Sequence, residues 1–148
     1  MLLVEDDEHD LALFRHALQK SAHDTGLKIQ LYMVRDGEEA IEYLRGAGPF
    51  TDRALHPFPD IIVLDLKMPR LNGLDVLRWL KEHRQYSRVP KILLSGSSQE
   101  RDIDEAYELG VNTYFQKPTS LDELRELVHH MICYWALTKR SVIRHSIA

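Results

Sequence analysis

Short apolar runs alternate along the chain with segments whose apolar residues follow the helical repeat. The run Leu2-Leu3-Val4 is typical of a strand, and the three-then-four spacing of Leu11, Phe14 and Leu18 predicts a helix after it. The runs at 2–4, 29–34, 61–64, 92–94 and 111–115 predict five strands, each followed by a helix. This alternation indicates a parallel sheet with helices on both faces, the doubly wound α/β class.

The predicted elements leave one long irregular stretch. Residues 46–59 contain repeated glycine and proline, and we expect them to form a surface loop. Ser120, with Glu123 three positions later, predicts a capping box at the start of a last helix that reaches about residue 138. We therefore expect one domain over 1–138, including this extended helix. The tail over 139–148 is too short for a second domain or a DNA-binding module.

Length and composition narrow the function classes. The 148 residues are 44% hydrophobic and carry a net charge of −4, which suits one globular core and disfavours a basic nucleic-acid binder. No apolar run approaches the roughly 20 residues of a membrane helix. We expect no secretory leader, because the sequence does not open with a basic and then apolar stretch. Cys133 is the single cysteine, which excludes an intrachain disulfide and a cysteine-based zinc site. We expect a cytoplasmic protein without a membrane or nucleic-acid partner.

Carboxylates directly follow two of the predicted strands. Glu5, Asp6 and Asp7 come after the first strand, and Asp65 comes after the third, which is the most apolar. The strand order 2-1-3-4-5 would bring these groups together at the carboxyl edge of the sheet, where ligands bind. Clustered carboxylates need protons or a cation, and such oxygen ligands suit Mg²⁺. Helix capping or solvent exposure explains Glu5 to Asp7 equally well, but an unpaired charge at Asp65 would be unfavourable.

Two other strand ends supply complementary groups. Ser95 ends the fourth predicted strand with a hydroxyl, and Lys117 follows the fifth with an ammonium. Either residue alone is more often an ordinary surface residue. A nucleophilic carboxylate, a divalent cation, a hydroxyl and an ammonium together form a complementary set for a phosphoryl group. The four strand ends therefore predict a phosphoryl-transfer site.

Four segments together resemble the receiver domains of two-component response regulators. They are Leu3-Val4-Glu5-Asp6-Asp7, Asp65-Leu66-Lys67-Met68-Pro69 with Asn72-Gly73, Leu94-Ser95, and Lys117-Pro118, in the order and spacing of the family. The resemblance covers nearly the whole chain and implies a flavodoxin-like (βα)5 fold with strand order 2-1-3-4-5. One departure is that the first strand starts at residue 1 or 2, so either it is short or the true start lies upstream.

The resemblance also implies the roles of the acidic residues. Asp65 is expected to accept a phosphoryl group from a sensor histidine kinase. Glu5 and Asp6 are expected to form the acidic pocket, and Mg²⁺ would bind through Asp6, Asp65 and the backbone carbonyl of Lys67. Asp7 would be a peripheral member of this pocket. The protein would then be a phosphorylation-switched signalling protein and not a turnover enzyme.

The same resemblance implies the roles of the remaining groups. Lys117 is expected to bind the phosphoryl group, Ser95 to be the switch hydroxyl, and Tyr114 to be the aromatic residue that rotates. Pro118 is expected to follow a cis peptide bond. More narrowly, the loop at 46–59, the stretch 72–77 and the pair Tyr134-Trp135 resemble regulators that partner phytochrome-type histidine kinases.

Two rival functions share part of this pattern. A flavin would need a phosphate-binding loop rich in glycine and hydroxyls after the first strand, where Glu5 to Asp7 would repel the phosphate. A haloacid-dehalogenase-like phosphatase also uses a nucleophilic aspartate with Mg²⁺. That chemistry needs a second aspartate two positions after Asp65, where Lys67 stands. The phosphatase remains the alternative.

The end of the last helix predicts a partner surface. A strand of five residues is about 17 Å long, whereas a helix over 120–138 is about 28 Å long. The sheet would therefore leave the last 10 Å or so of this helix uncovered. The apolar residues of this overhang are Ile132, Tyr134, Trp135 and Leu137, with Val142 and Ile143 beyond. Such a patch is typical of an interface, so we expect a homodimer. The alternative is that Trp135 folds back over its own domain.

Overall fold

The structure, a computed structural model, describes residues 1–138 of the chain. The tail at 139–148, with Val142 and Ile143, lies outside the described residues. Residues 1–138 form a five-stranded parallel sheet in the order β2-β1-β3-β4-β5, which confirms the expected topology. The elements are β1 (Leu2–Val4), α1 (Glu8–Thr25), β2 (Tyr32–Val34), α2 (Gly37–Arg45), a 3₁₀ turn (Gly48–Phe50), β3 (Ile62–Leu64), α3 (Gly73–Glu82), β4 (Lys91–Ser95), α4 (Glu100–Glu108), β5 (Thr113–Gln116) and α5 (Leu121–Leu137).

The three central strands hold the core. Every residue of β1, β3 and β4 is buried, as expected for strands covered on both faces. Successive side chains point to opposite faces, so Leu2 and Val4 pack with α2, α3 and α4, while Leu3 packs with α1 and α5. This arrangement leaves the carboxyl edge of the sheet as the place where the strand-end side chains meet.

The second strand is shorter than predicted. The apolar pattern indicated 29–34, but the strand covers only Tyr32–Val34. Its partner β1 has three residues, and Leu2 to Val4 pair in register with residues 32 to 34. Residues 29–31 therefore lie beyond the end of the ladder.

The stretch 46–59 is a surface loop that the fold holds in place through Arg53. The guanidinium of Arg53 donates to the carbonyls of Tyr43 (2.7 Å), Leu44 (2.7 Å) and His56 (3.0 Å). Two of these carbonyls belong to the last turn of α2, where a helix has few backbone donors of its own. The Tyr43 hydroxyl donates to the carbonyl of Pro57 at 3.0 Å. The loop is therefore an anchored part of the domain.

Helix starts agree in part with the predicted caps. The Ser120 hydroxyl accepts from the backbone N–H of Glu123 at 3.2 Å, which is one half of the capping box expected at α5. Asn72 and Asp75 form a complete box at the start of α3, with both bonds at 3.0 Å. This box fixes the start of α3 immediately after the loop that follows Asp65.

The end of α5 corrects the expected overhang. Ile132 is only 3% exposed, and Trp135 is half-buried against the α1 face of the core. The prediction was wrong because it counted only the strands as cover. In the structure α1 lies alongside α5, and Leu27 and Ile29 line the same groove as Ile132 and Trp135. Trp135 therefore follows the alternative and folds over its own domain.

Two residues of the predicted patch do remain accessible. Tyr134 is 63% exposed and Leu137 is 87% exposed, and their spacing of three places them on one side of α5. Within residues 1–138, none of the helices is both long enough and apolar enough to cross a lipid bilayer.

Candidate functional site

The carboxyl edge of the sheet brings the predicted strand-end residues together. Val4 and Leu64 pair in register, so Glu5 and Asp65 follow adjacent strands at the same level. Lys117 follows β5, and its backbone N–H donates to the carbonyl of Ser95 at 2.8 Å. The first, third, fourth and fifth strands therefore all contribute to one site.

The ammonium of Lys117 lies at the centre of this site. It donates to Glu5 Oε2 at 2.7 Å, to Asp10 Oδ2 at 2.7 Å and to Asp65 Oδ2 at 3.2 Å. Asp10 was not among the predicted site residues. It lies in the first turn of α1, and only the folded chain shows that this turn faces Lys117, so no sequence pattern marked it.

The charges of Glu5, Asp65 and Lys117 are close together, and the fold shields these three groups from most of the solvent. Burial raises the pKa of Glu5 to about 7, which the hydrogen bond from Lys117 partly opposes and the charge of Asp65 reinforces. Burial alone would lower the pKa of Lys117, but its hydrogen bonds to Asp10 and Glu5 and the charge of Asp65 raise it above its ordinary value. Lys117 is therefore a permanent cation, whereas Glu5 changes charge near neutral pH.

Three carboxylates have the geometry to share a cation. Glu5, Asp6 and Asp65 each offer one oxygen, and these oxygens all lie within 4.8 Å of one another. Asp6 is exposed while the other two are buried, so a bound ion would still have access to water ligands. An all-oxygen set with an open, hydrated side fits Mg²⁺. Lys67 lies two residues after Asp65, and its backbone N–H donates to Asp65 Oδ1 at 3.4 Å.

Asp7 has a structural role beside this cluster. Its side chain accepts from the backbone N–H of Asp10 at 2.9 Å and so caps α1. Its own N–H donates to Glu5 Oε1 at 3.1 Å. The backbone N–H groups of Asp10 and His9 at this helix start lower the pKa of Asp7. Asp7 therefore positions Glu5 and Asp10, which refines its expected peripheral place in the pocket.

Gly73 allows α3 to approach the backbone of Asp65. A Cβ atom at this position would lie 2.4 Å from the carbonyl oxygen of Asp65. The N–H of Gly73 donates to the carbonyl of Leu66 at 3.0 Å. A side chain here would displace the segment that carries the candidate nucleophile.

Ser95 and Tyr114 meet at the loop between β4 and α4. Ser95 is buried, and its hydroxyl accepts from the N–H of Ser97 at 3.3 Å. The half-buried Tyr114 donates its hydroxyl to the carbonyl of Ser97 at 2.8 Å. The ring is thus directed inward, toward the loop that follows Ser95.

The bond before Pro118 differs from the expectation. Every peptide bond within residues 1–138 is trans, so the expected cis bond is absent there. The trans isomer is the intrinsically favoured form even before proline.

Known proteins resemble this chain over nearly its whole length. The sequence profile of the response regulator receiver domain matches residues 1–129. Response regulator Rcp1 of Synechocystis sp. is 33% identical over 138 residues, which are 93% of this chain and 89% of that protein.

Solved structures agree with these sequence matches. The phosphorylated cyanobacterial phytochrome response regulator RcpA is 36% identical, with a TM-score of 0.83 over 93% of this chain and 94% of that one. The Mn²⁺-bound form of response regulator Rcp1 is 31% identical, with a TM-score of 0.83 over 95% and 96% of the two chains.

Proposed function

Because the chain belongs to the response regulator receiver domain family and is homologous to phytochrome response regulators, we propose that Asp65 accepts a phosphoryl group from the phosphohistidine of a sensor histidine kinase. The observation that carries the proposal is the setting of Asp65. This carboxylate is buried, lies 3.2 Å from the Lys117 ammonium, and shares a cation-sized cluster of oxygens with Glu5 and Asp6. Such a setting positions a nucleophile and balances the charge of phosphoryl oxygens, which is most of what phosphoryl transfer requires.

The reaction is a single displacement at phosphorus. An oxygen of Asp65 forms a bond to phosphorus while the bond from phosphorus to the donor imidazole nitrogen breaks, and the electron pair leaves with that nitrogen. Lys117 then exchanges its contact with Asp65 for one with a phosphoryl oxygen. Mg²⁺, held by Asp6, Asp65 and the backbone carbonyl of Lys67 with Glu5 beside them, would neutralise charge on the phosphoryl oxygens. Hydrolysis of the acyl phosphate restores the carboxylate.

A small phosphodonor tests this assignment. Acetyl phosphate with Mg²⁺ should add the mass of one phosphoryl group to the intact protein, and EDTA should prevent the addition. Asp65→Asn should gain no mass, whereas Asp104→Asn, which changes an exposed aspartate of α4, should behave as the wild type. Phosphorylation of Asp65→Asn to the wild-type extent would exclude Asp65 as the acceptor.

The phosphatase alternative gains no support. Lys67 still occupies the position where that chemistry needs an acid/base aspartate, and the matched relatives are regulators. The protein is accordingly a signalling protein and not a metabolic enzyme. We expect one phosphoryl group per chain in the acetyl phosphate assay and no catalytic release of phosphate from added phosphomonoesters.

Switching would use Ser95 and Tyr114. In this proposal the phosphoryl group on Asp65 attracts the Ser95 hydroxyl, and the inward position of the Tyr114 ring is favoured as a result. Ser95→Ala should therefore reduce the difference in amide exchange between the phosphorylated and unphosphorylated proteins. An undiminished difference would refute the role of Ser95.

The partner would be a sensor kinase of the phytochrome type, because relatives of similar length are phytochrome response regulators. The proposed place of this interaction is the cytoplasm.

A homodimer would use the exposed Tyr134 and Leu137 and not the buried Ile132. Light scattering should give twice the monomer mass for the wild type and the monomer mass for Leu137→Glu. Neither nucleic acid nor a membrane has a part in this proposal. A monomeric wild type at micromolar concentration would refute the dimer.

A further inference from the structure

The loop that follows Asp65 contains a residue in an unusual backbone conformation. Arg70 has a φ of 63°, and within residues 1–138 it is the one non-glycine residue with a positive φ. Glycine adopts this left-handed region without strain, whereas a side chain makes it unfavourable. Such strain persists only where contacts of the surrounding structure offset it.

The side chain of Arg70 makes such a contact with a buried carboxylate at the start of α2. Its guanidinium donates to Oδ2 of Asp36, whose side chain is only 3% exposed. The other oxygen of Asp36 accepts from the backbone N–H of Glu39 at 2.9 Å and so caps α2. A second contact, from Arg70 to Glu38 at 3.3 Å, is exposed and contributes little. A buried carboxylate that loses its cation is strongly unfavourable, so the pair with Asp36 is the contact that holds Arg70.

The backbone of the same loop also contacts α2. The N–H of Gly37, the first residue of α2, donates to the carbonyl of Leu71 at 3.1 Å. A Cβ atom on Gly37 would lie 2.5 Å from that carbonyl oxygen, so the two segments approach closely. The loop over 65–72 is therefore attached to α2 at Arg70 and Leu71, in addition to its two ends at β3 and α3.

We propose that Arg70 is a positioning residue for the metal site, because its pair with Asp36 holds the loop over 65–72 in the shape that presents the Lys67 carbonyl. Lys67 lies three residues before Arg70 in this loop. A carbonyl that is already held in place binds a cation more tightly than one in a loop that must first be ordered. The inference rests on the proposed function, since the Lys67 carbonyl is a metal ligand only in that proposal.

The charge of Arg70 and its positioning role predict opposite effects on metal binding. Removing a positive charge from this loop would strengthen the binding of a cation, because it lowers electrostatic repulsion. Freeing the loop would weaken the binding. Arg70→Asn tests which effect dominates, because asparagine tolerates the left-handed conformation but is too short to pair with Asp36.

Calorimetry of Mg²⁺ binding to the full chain measures the outcome. The dissociation constant of Arg70→Asn should be about tenfold above that of the wild type, the lower end of the range for residues that orient metal ligands. Arg88→Asn, which changes an exposed arginine between α3 and β4, should match the wild type. An unchanged or lower dissociation constant in Arg70→Asn would overturn the inference.

Conservative changes separate the ion pair from general damage to the loop. Arg70→Lys keeps a cation on a long side chain and should recover most of the Mg²⁺ affinity. Asp36→Asn keeps the oxygen that caps α2 but removes the charge, so it should weaken Mg²⁺ binding as Arg70→Asn does. The double variant should bind no more weakly than either single variant, because both changes break the same pair. Additive effects in the double variant would contradict the pair as the cause.

A measurement without metal reports the attachment of the loop itself. Amide hydrogen exchange of Gly37 in EDTA follows its bond to the Leu71 carbonyl. This exchange should be about tenfold faster in Arg70→Asn and in Asp36→Asn than in the wild type, as expected for the loss of a hydrogen bond between charged groups. It should be unchanged in Arg88→Asn. Equal exchange in all four proteins would overturn the inference.

Phosphorylation separates this inference from the proposed function. With acetyl phosphate, Arg70→Asn should need about tenfold more Mg²⁺ than the wild type to reach half of its maximal rate, and the rate should recover at saturating Mg²⁺. A reduced maximal rate with an unchanged Mg²⁺ requirement would contradict a role in positioning the metal ligand. A wild type that binds Mg²⁺ but gains no phosphoryl group would instead refute the proposed function, and the calorimetric comparison would still decide the inference.

Discussion

Replacing Glu5 by glutamine should change how the stability of the metal-free protein depends on pH. Glu5 is 3% exposed and receives a hydrogen bond from Lys117 at 2.7 Å. Burial raises its pKa from 4.5 to about 7, because the charged form loses hydration that its neighbours do not fully replace. Glu5→Gln keeps the size of the side chain and an oxygen that accepts from Lys117, while it removes the ionisation.

The sign of the effect follows from the direction of this shift. Between pH 4.5 and about 7 the folded protein holds a proton on Glu5 that the unfolded chain has released. Stability that is fully present below pH 4.5 is therefore lost as the pH rises through this window, and it stays lost above it. At about 1.4 kcal/mol per pKa unit, the loss is about 3 kcal/mol. The glutamine variant has no such loss.

Urea unfolding in EDTA, followed by the fluorescence of Trp79 and Trp135, measures this difference. From pH 4.5 to 8, Glu5→Gln should gain about 3 kcal/mol of unfolding free energy relative to the wild type. Saturating Mg²⁺ should reduce the gain, because a bound cation favours the ionised form of Glu5. Glu82→Gln, at the exposed end of α3, should keep the wild-type profile. A constant difference between Glu5→Gln and the wild type would refute the reasoning.

Three further predictions concern the free energy of unfolding. Arg53→Ala should lower the free energy of unfolding by about 2–3 kcal/mol, because three hydrogen bonds to backbone carbonyls are lost. Arg53→Lys should restore part of this free energy, and urea titration measures both variants. Gly73→Ala should cost about 1–3 kcal/mol and slow phosphorylation by acetyl phosphate, because its Cβ would displace Asp65. Leu77→Ala in the core should cost about 2–5 kcal/mol, measured by the same titration.

The sheet could be predicted because its strands are buried on both faces. The apolar runs at 61–64 and 92–94 are typical of strands in a covered parallel sheet, and they coincide with most of β3 and β4. The end of β2 could not be predicted in the same way. Its length depends on how many residues of β1 are available to pair, which is a property of the partner and not of residues 29–31.

The site was predictable where residues directly follow strands. Glu5, Asp65 and Lys117 lie at the ends of strands, and strand order alone brings them together. Asp10 and Ser97 do not share this property. Asp10 reaches Lys117 because of the orientation of α1, and the Ser97 carbonyl that accepts from Tyr114 is a backbone group, which every residue possesses. Neither contact has a signature in residue types.

The charge balance of the site supports the proposal that a cation takes part in phosphorylation. The ammonium of Lys117 contacts Glu5, Asp10 and Asp65, and Asp6 adds a fourth carboxylate beside Glu5 and Asp65. Without a metal ion, Glu5 can hold a proton near neutral pH, because burial raises its pKa to about 7 and the charge of Asp65 reinforces the shift. Phosphorylation of Asp65 would replace one negative charge by a group that carries about −2. A proton on Glu5 cannot balance that increase, whereas a Mg²⁺ ion held by the carboxylate cluster would supply two positive charges beside it. We therefore expect phosphorylation of Asp65 to depend on the cation.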